Sequence, residues 1–243
     1  MSERFHGRVA LVAGGTGGLG RAVALAFLEE GARVFVTYRS RAEFDLLKLA
    51  AGAHESELEG YSVDVTDEAA VKQLVTEIAS PASKNGGRLD ILVNAVGGYA
   101  GGIPLWNLES QTFDTMLALN LRSGYALCRA VVPAMMRQKS GAIVNVVAKA
   151  ALDHAAGASA YAASKAASLA MMDSLAADLK ATGVRANSVL PSIIDTAANR
   201  KAMPDADFAK WPKPEEIARV ILFLCSDDAR VVHGAALPVY GDS

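Results

Sequence analysis

Tyr161 and Lys165 stand four residues apart in Y-A-A-S-K, the spacing that stacks two side chains on one face of a helix. An isolated phenol titrates near ~10, and an ammonium beside it favours the phenolate and lowers that value, so the pair is a candidate proton donor of adjustable acidity. Taken alone, Y-x-x-x-K is more commonly the half-buried tyrosine and exposed lysine of an ordinary amphipathic helix. Its meaning depends on what the rest of the chain places around it. Asn120 in L-A-L-N-L, Tyr99 in G-G-Y-A-G-G and Ala148 in V-A-K-A-A are the other residues near which chemistry is expected.

A second chemical signal lies near the N-terminus. The apolar run V-A-L-V-A flows into A-G-G-T-G-G-L-G, with Gly14, Gly18 and Gly20 spaced G-x-x-x-G-x-G and Thr16 and Leu19 between them. Such a turn, after a strand and opening a helix, lets backbone approach a pyrophosphate, while the helix N-terminus supplies N–H donors and partial positive charge. A glycine-rich turn that binds nothing is the alternative, but position in the first unit of an alternating chain favours a dinucleotide. The next strand ends in T-Y-R-S-R. An acidic residue there would hold the adenosine ribose hydroxyls and repel a 2′-phosphate; Tyr38, Arg39 and Ser40 take its place, which favours NADP(H) over NAD(H). Asp64 and Val65 follow the third predicted strand, where Asp64 could accept from the adenine amino group, while Thr66 or Asp67 caps the next helix. Asn94, with the glycines after it including Gly97, suits close backbone passage beside the adenosine ribose.

The elements that must position these groups alternate along the chain. Short β-branched runs predict strands over Val9–Ala13, Arg33–Thr37, Gly60–Val63, Ile91–Asn94, Ile143–Val147, Ala186–Val189 and Leu237–Val239. Helical spacing predicts Leu19–Glu30, Glu68–Ile78, Gln111–Gln138, Ala160–Lys180 and Glu215–Leu224. Strands apolar on both faces, alternating with helices, imply a single Rossmann-type α/β domain over residues 1–243: a doubly wound parallel sheet of about seven strands with helices on both faces. Two Gly/Pro clusters, 97–104 and the segment 195–214, are expected to wall the substrate site, at the carboxyl ends of strands where open α/β folds bind ligands.

Composition removes other classes. Just over half of the 243 residues are apolar and the net charge is −2, which gives no basic field for nucleic acid and no polybasic membrane patch. No apolar stretch approaches a membrane span, and the N-terminus lacks the apolar region of a secretory signal. Cys128 and Cys225 form no C-x-x-C and the four histidines no metal spacing, so no metal is expected and a reducing, cytoplasmic setting is.

Together the glycine motif, the D-V at Asp64, N-A-V-G at Asn94, Asn120, Y-A-A-S-K and L-P-S-I-I-D-T resemble the short-chain dehydrogenase/reductase family over almost the whole chain. The resemblance implies that Tyr161 donates the proton, that Lys165 tunes it and holds the nicotinamide ribose, and that Asn120 anchors a water in a proton relay. It further implies that Thr196 contacts the nicotinamide carboxamide, with Pro191 and Ile194 shaping the ring pocket. Three positions depart from the pattern: Ala13 for a threonine, Ala95 for a second asparagine, and Ala148 for the serine whose hydroxyl polarises a substrate carbonyl.

Within the family, G-G-Y-A-G-G, A-K-A-A-L-D and the stretch from Asp195 to Trp211 are similar to the dihydropteridine reductases, which also carry alanine for the serine and a tryptophan where this chain has Tyr99. That implies hydride transfer from NADPH to a quinonoid dihydropterin, a small-molecule substrate lined by Tyr99, Ala148 and Tyr161. Alternatives are a carbonyl or imine reductase assisted by Ser159 or a water, and a catalytically silent NADP-binding sensor or scaffold. Relatives pair through the small-residue face of the Tyr161 helix, so a homodimer or homotetramer is expected.

Overall fold

The computed structural model describes residues 3–242, so Met1, Ser2 and Ser243 of the expected domain lie outside the described residues. In chain order the main elements are β1 (Val9–Ala13), α1 (Gly18–Glu29), β2 (Arg33–Tyr38), α2 (Arg41–Ala51), β3 (Leu58–Ser62), α3 (Glu68–Ile78) and β4 (Ile91–Asn94). There follow α4 (Ser110–Leu117), α5 (Ser123–Gln138), β5 (Gly141–Val146), α6 (Ser159–Asp178), β6 (Val184–Pro191), α7 (Ala197–Ala202), α8 (Pro214–Cys225) and β7 (Ala236–Val239). All seven strands join one parallel sheet in the order β3-β2-β1-β4-β5-β6-β7.

β1, β4 and the centre of β5 are fully buried, which is why they read as unbroken apolar runs rather than alternating ones. One core packs α1, α2 and α8 on one face through Phe27, Leu47 and Ile221; the other packs α3, α5 and α6 on the opposite face through Leu74, Leu127 and Met172. The chain reverses direction across the sheet between β1 and β4, and a crevice opens at their carboxyl ends. No helix among the described residues is long and apolar enough to cross a membrane. Both cysteines are buried, which pushes their thiols up to about 12.

Strand and helix ends shift by a residue or two in several elements, and α7 was not expected; three further differences stand out. The third strand is Leu58–Ser62, two residues earlier than expected, because its register against Val34–Tyr38 starts at Leu58 and leaves Val63 in the turn. A helix over Arg41–Ala51 had no counterpart in the periodicity; Ser40 caps it by accepting from the Glu43 N–H, and Phe44, Leu47 and Ala51 are the few residues it buries. The expected Gln111–Gln138 helix is divided by a single π-turn, Ala118–Arg122, with Asn120 at its centre.

Candidate active site

The glycine-rich turn holds its shape by close backbone packing. Gly14 adopts φ +73°, and a Cβ on Gly20 would lie 2.1 Å from the Gly14 carbonyl oxygen, so only glycine allows α1 to approach the end of β1 this closely. The Gly14 N–H donates to the Thr37 hydroxyl at 3.0 Å, tying the turn to β2. A Cβ on Gly18 would lie 2.7 Å from the Thr196 methyl, so the turn and the loop after β6 meet at this point. Leu19 is buried in the core under the turn.

Beside the turn runs a groove of about 290 Å³, lined by Gly14, Thr16, Tyr38, Arg39, Glu43, Asp64, Val65 and Gly97 among others. Tyr38 stacks on Phe44 with ring centroids 4.7 Å apart and planes 5° from parallel. Arg39 is exposed and forms no ion pair among the described residues, whereas Arg41 turns away to Asp45 at 2.8 Å. Asp64 accepts from the Thr66 N–H and hydroxyl, which holds its carboxyl below the usual range; the capping of α3 falls to Asp67, which accepts from Ala69 and Ala70. The cradle that any Cβ would fill, together with the cation and hydroxyls at the far end, fits a dinucleotide. Glu43 lines this groove and was not anticipated; the S-x-x-E spacing with Ser40 was the available signal.

Asn94 serves the scaffold more than the groove. It is buried, donates to Asn145 Oδ1 at 2.9 Å and accepts from the Val96 N–H at 3.2 Å; Asn145 in turn donates to the Ser168 hydroxyl at 3.0 Å. This chain of bonds locks the ends of β4 and β5 to α6. Of the residues that follow Asn94, Ala95, Val96 and Gly97 line the groove.

Tyr161 and Lys165 lie one turn apart on α6 as their spacing predicts. Lys165 is buried and donates to the Val146 carbonyl at 3.1 Å, and burial lowers it to about 8. Tyr161 is half-buried, and burial, with a smaller contribution from Tyr99, pushes its phenol up to about 12. The expectation that Lys165 lowers the phenol is thus corrected: the ammonium is committed to a main-chain carbonyl, and desolvation of the phenol dominates. A phenol in this state is protonated at neutral pH and so is equipped to give up a proton.

The Asn120 side chain is fully engaged with its surroundings. It accepts from the Gly98 N–H at 2.9 Å and donates to the Gly98 carbonyl and the Ser164 hydroxyl, both at 3.0 Å. The π-turn swings this side chain out of the α4–α5 axis so that it clamps the loop after β4; such irregularities recur at functional sites. A Cβ on Gly97 would lie 2.9 Å from Asn120 Oδ1 and 3.2 Å from Lys165 Nζ, so both groups converge on this loop.

The clamped loop carries Tyr99 over the phenol. The rings of Tyr99 and Tyr161 meet edge to face, 4.9 Å between centroids and 77° between planes, with Tyr99 70% exposed. Tyr99 folds back so that a Cβ on Gly101 would lie 2.1 Å from its hydroxyl. Gly101→Ala should therefore push the Tyr99 ring off Tyr161, which is measurable as a raised KM for the acceptor with little change in thermal midpoint. A fall in stability with unchanged KM would contradict this placement.

Ala148 is buried at the end of β5, and the turn that follows it packs on α6. The Ser159 hydroxyl, at the start of α6, is buried without a hydrogen-bond partner. In the loop after β6, Thr196 caps α7 by accepting from the Asn199 N–H at 3.2 Å, and Ile194 packs against the core. Asp195 pairs with Arg200, whose guanidinium lies 4.9 Å from the Phe208 ring centroid, and Phe208 packs on buried Trp211. The segment 195–211 thus carries its own small aromatic cluster. No cluster of metal-ligating side chains exists among the described residues.

Known proteins resemble this chain along almost its whole length. The short chain dehydrogenase family profile matches residues 8–207. The 3-oxoacyl-[acyl-carrier-protein] reductase of Thermotoga maritima is 32% identical over 246 residues, covering 98% of each chain. Among solved structures, ElxO with NADP bound superposes with TM-score 0.89 at 26% identity, covering 96% of this chain and 97% of the other. NAD+-bound xylitol dehydrogenase superposes with TM-score 0.88 at 26% identity, covering 98% and 99%. None of these three is named for pterin reduction, so the narrower resemblance rests on this chain's own residues. The family match, the seven-stranded sheet and the Tyr161–Lys165 pair agree, and the chain belongs to the short-chain dehydrogenase family as an NAD(P)-dependent oxidoreductase.

Proposed function

We propose that the protein is an NADPH-dependent reductase of a quinonoid dihydropterin, with Tyr161 as the proton donor. The observation that carries this reading is the buried methyl of Ala148 in a site whose phenol is held protonated. Reduction of a ketone gathers negative charge on one oxygen, where a second donor is worth about 10²–10³ in rate. A quinonoid C=N system spreads the charge over several heteroatoms, and one donor suffices.

The reduced nicotinamide, when bound, supplies the hydride. The protein's part is to hold, orient and protonate. Tyr161 gives its proton to the acceptor nitrogen. Lys165, close under Gly97, carries the positive charge nearest to the reacting end. Tyr99 offers a flat face to a flat heterocycle, offset on the ring. Arg39, which lines the groove in no ion pair among the described residues, is the feature that favours a 2′-phosphate.

A second reading, reduction of a carbonyl or imine, is favoured by the unpartnered Ser159 hydroxyl, a spare donor near Tyr161 in sequence. A silent sensor is disfavoured, because it has no need of Tyr161, Lys165 and Asn120 together. NADPH oxidation with quinonoid dihydropterin, simple ketones and quinones separates the three. Turnover of the pterin is expected. Ketone turnover without pterin turnover selects the second reading, and NADPH binding with every acceptor inert leaves the sensor.

A further inference from the structure

The adenosine end of the groove holds an acidic residue that the strand motif does not reveal. In α8 the third helical residue closes a capping box: the Lys213 N–H donates to the Glu216 carboxylate at 2.8 Å. In α2 only half of that box forms. Ser40 accepts from the Glu43 N–H at 3.3 Å, but the Glu43 carboxylate crosses the groove and accepts from the Thr16 hydroxyl at 3.1 Å. It therefore faces the same groove as Arg39, which forms no ion pair among the described residues but lies close enough to Asp64 to help lower its carboxyl. Arg41 is held mainly by Asp45, with a further bond to Tyr38, and lies 5.8 Å from the Phe44 ring centroid.

We propose that Glu43 is a coenzyme-specificity residue that opposes Arg39, accepting from a free ribose diol and repelling a 2′-phosphate, so that the protein binds NADH as well as NADPH. This rests on the dinucleotide reading of the groove. A diol offers two donors to a carboxylate, whereas a phosphate dianion offers none and competes for the Thr16 hydroxyl. The missing acidic residue at the end of β2 is thus replaced in function by one reaching over from α2.

The test is equilibrium binding of NADPH and NADH, followed by nucleotide fluorescence, on wild type and the variants Glu43→Gln, Thr16→Val and Arg39→Gln. Glu43→Gln should tighten NADPH relative to NADH by roughly 1.5- to fivefold, the range of one exposed charge contact. Thr16→Val keeps the Glu43 charge and should not tighten NADPH relative to NADH. An unchanged ratio in Glu43→Gln, or the same ratio shift in Thr16→Val, overturns the proposal. Arg39→Gln should weaken NADPH and spare NADH. If it leaves both as in wild type, the phosphate assignment itself falls, whatever Glu43→Gln shows.

Discussion

Tyr161→Phe should lower kcat for NADPH oxidation by about 10²–10⁴-fold, the worth of a positioned general acid, while leaving NADPH affinity unchanged. The ring and its contact with Tyr99 remain, so only the proton is lost. Because burial keeps the phenol protonated up to about 12, the donor itself does not limit activity in the working pH range. The buried Lys165, lowered to about 8, does: it loses its charge as pH rises through that value, and reductive turnover should fall with it. Lys165→Arg retains the charge at every working pH and should move this limb upward. Steady-state pH profiles of the three proteins check both statements; a Tyr161→Phe enzyme with wild-type kcat would remove the phenol from the reaction.

The architecture was legible because its signals are strong and local. Apolar strands buried on both faces, helices between them and a glycine turn after the first strand admit few arrangements. The second helix escaped although Phe44, Leu47 and Ala51 fall at helical spacing; exposed Leu46 and Leu49 add apolar residues off that stripe. The π-turn escaped for a different reason. Its cause is tertiary, the pull of the Asn120 side chain on Gly98, and no periodicity registers a hydrogen bond to a residue 22 positions away.

The same division runs through the site. The shared helix face of Tyr161 and Lys165 follows from their spacing, and Thr16, Tyr38, Arg39, Asp64 and Gly97 all line one groove. What spacing does not encode is which partner a polar group takes. Asn94 bonds inward to Asn145, Lys165 bonds to a carbonyl, and Glu43 leaves its own helix cap for Thr16. Each depends on desolvation or on a residue brought close by the fold. The tyrosine's acidity moved against expectation for the same reason, since burial is a property of the packed molecule.

Ala148→Ser would place a hydroxyl where the ordinary members of the family carry one. For a ketone, an added donor to the developing oxyanion is worth about 10²–10³ in rate at full geometry, so a large gain is expected if the side chain reaches the carbonyl. For a pterin the charge is already spread and little gain should follow. The substitution adds one atom to a buried position at the end of β5, and its polar group must find a partner there or cost about 1–3 kcal/mol of stability.

The most direct test is the ratio of kcat/KM for quinonoid dihydropterin to that for a simple ketone, measured side by side on wild type and Ala148→Ser with NADPH. One phenol serving a delocalised acceptor predicts a high ratio in wild type that collapses in the variant through a rise in the ketone value alone. A wild type that already reduces the ketone as well as the pterin, or a variant that gains equally on both, would contradict it.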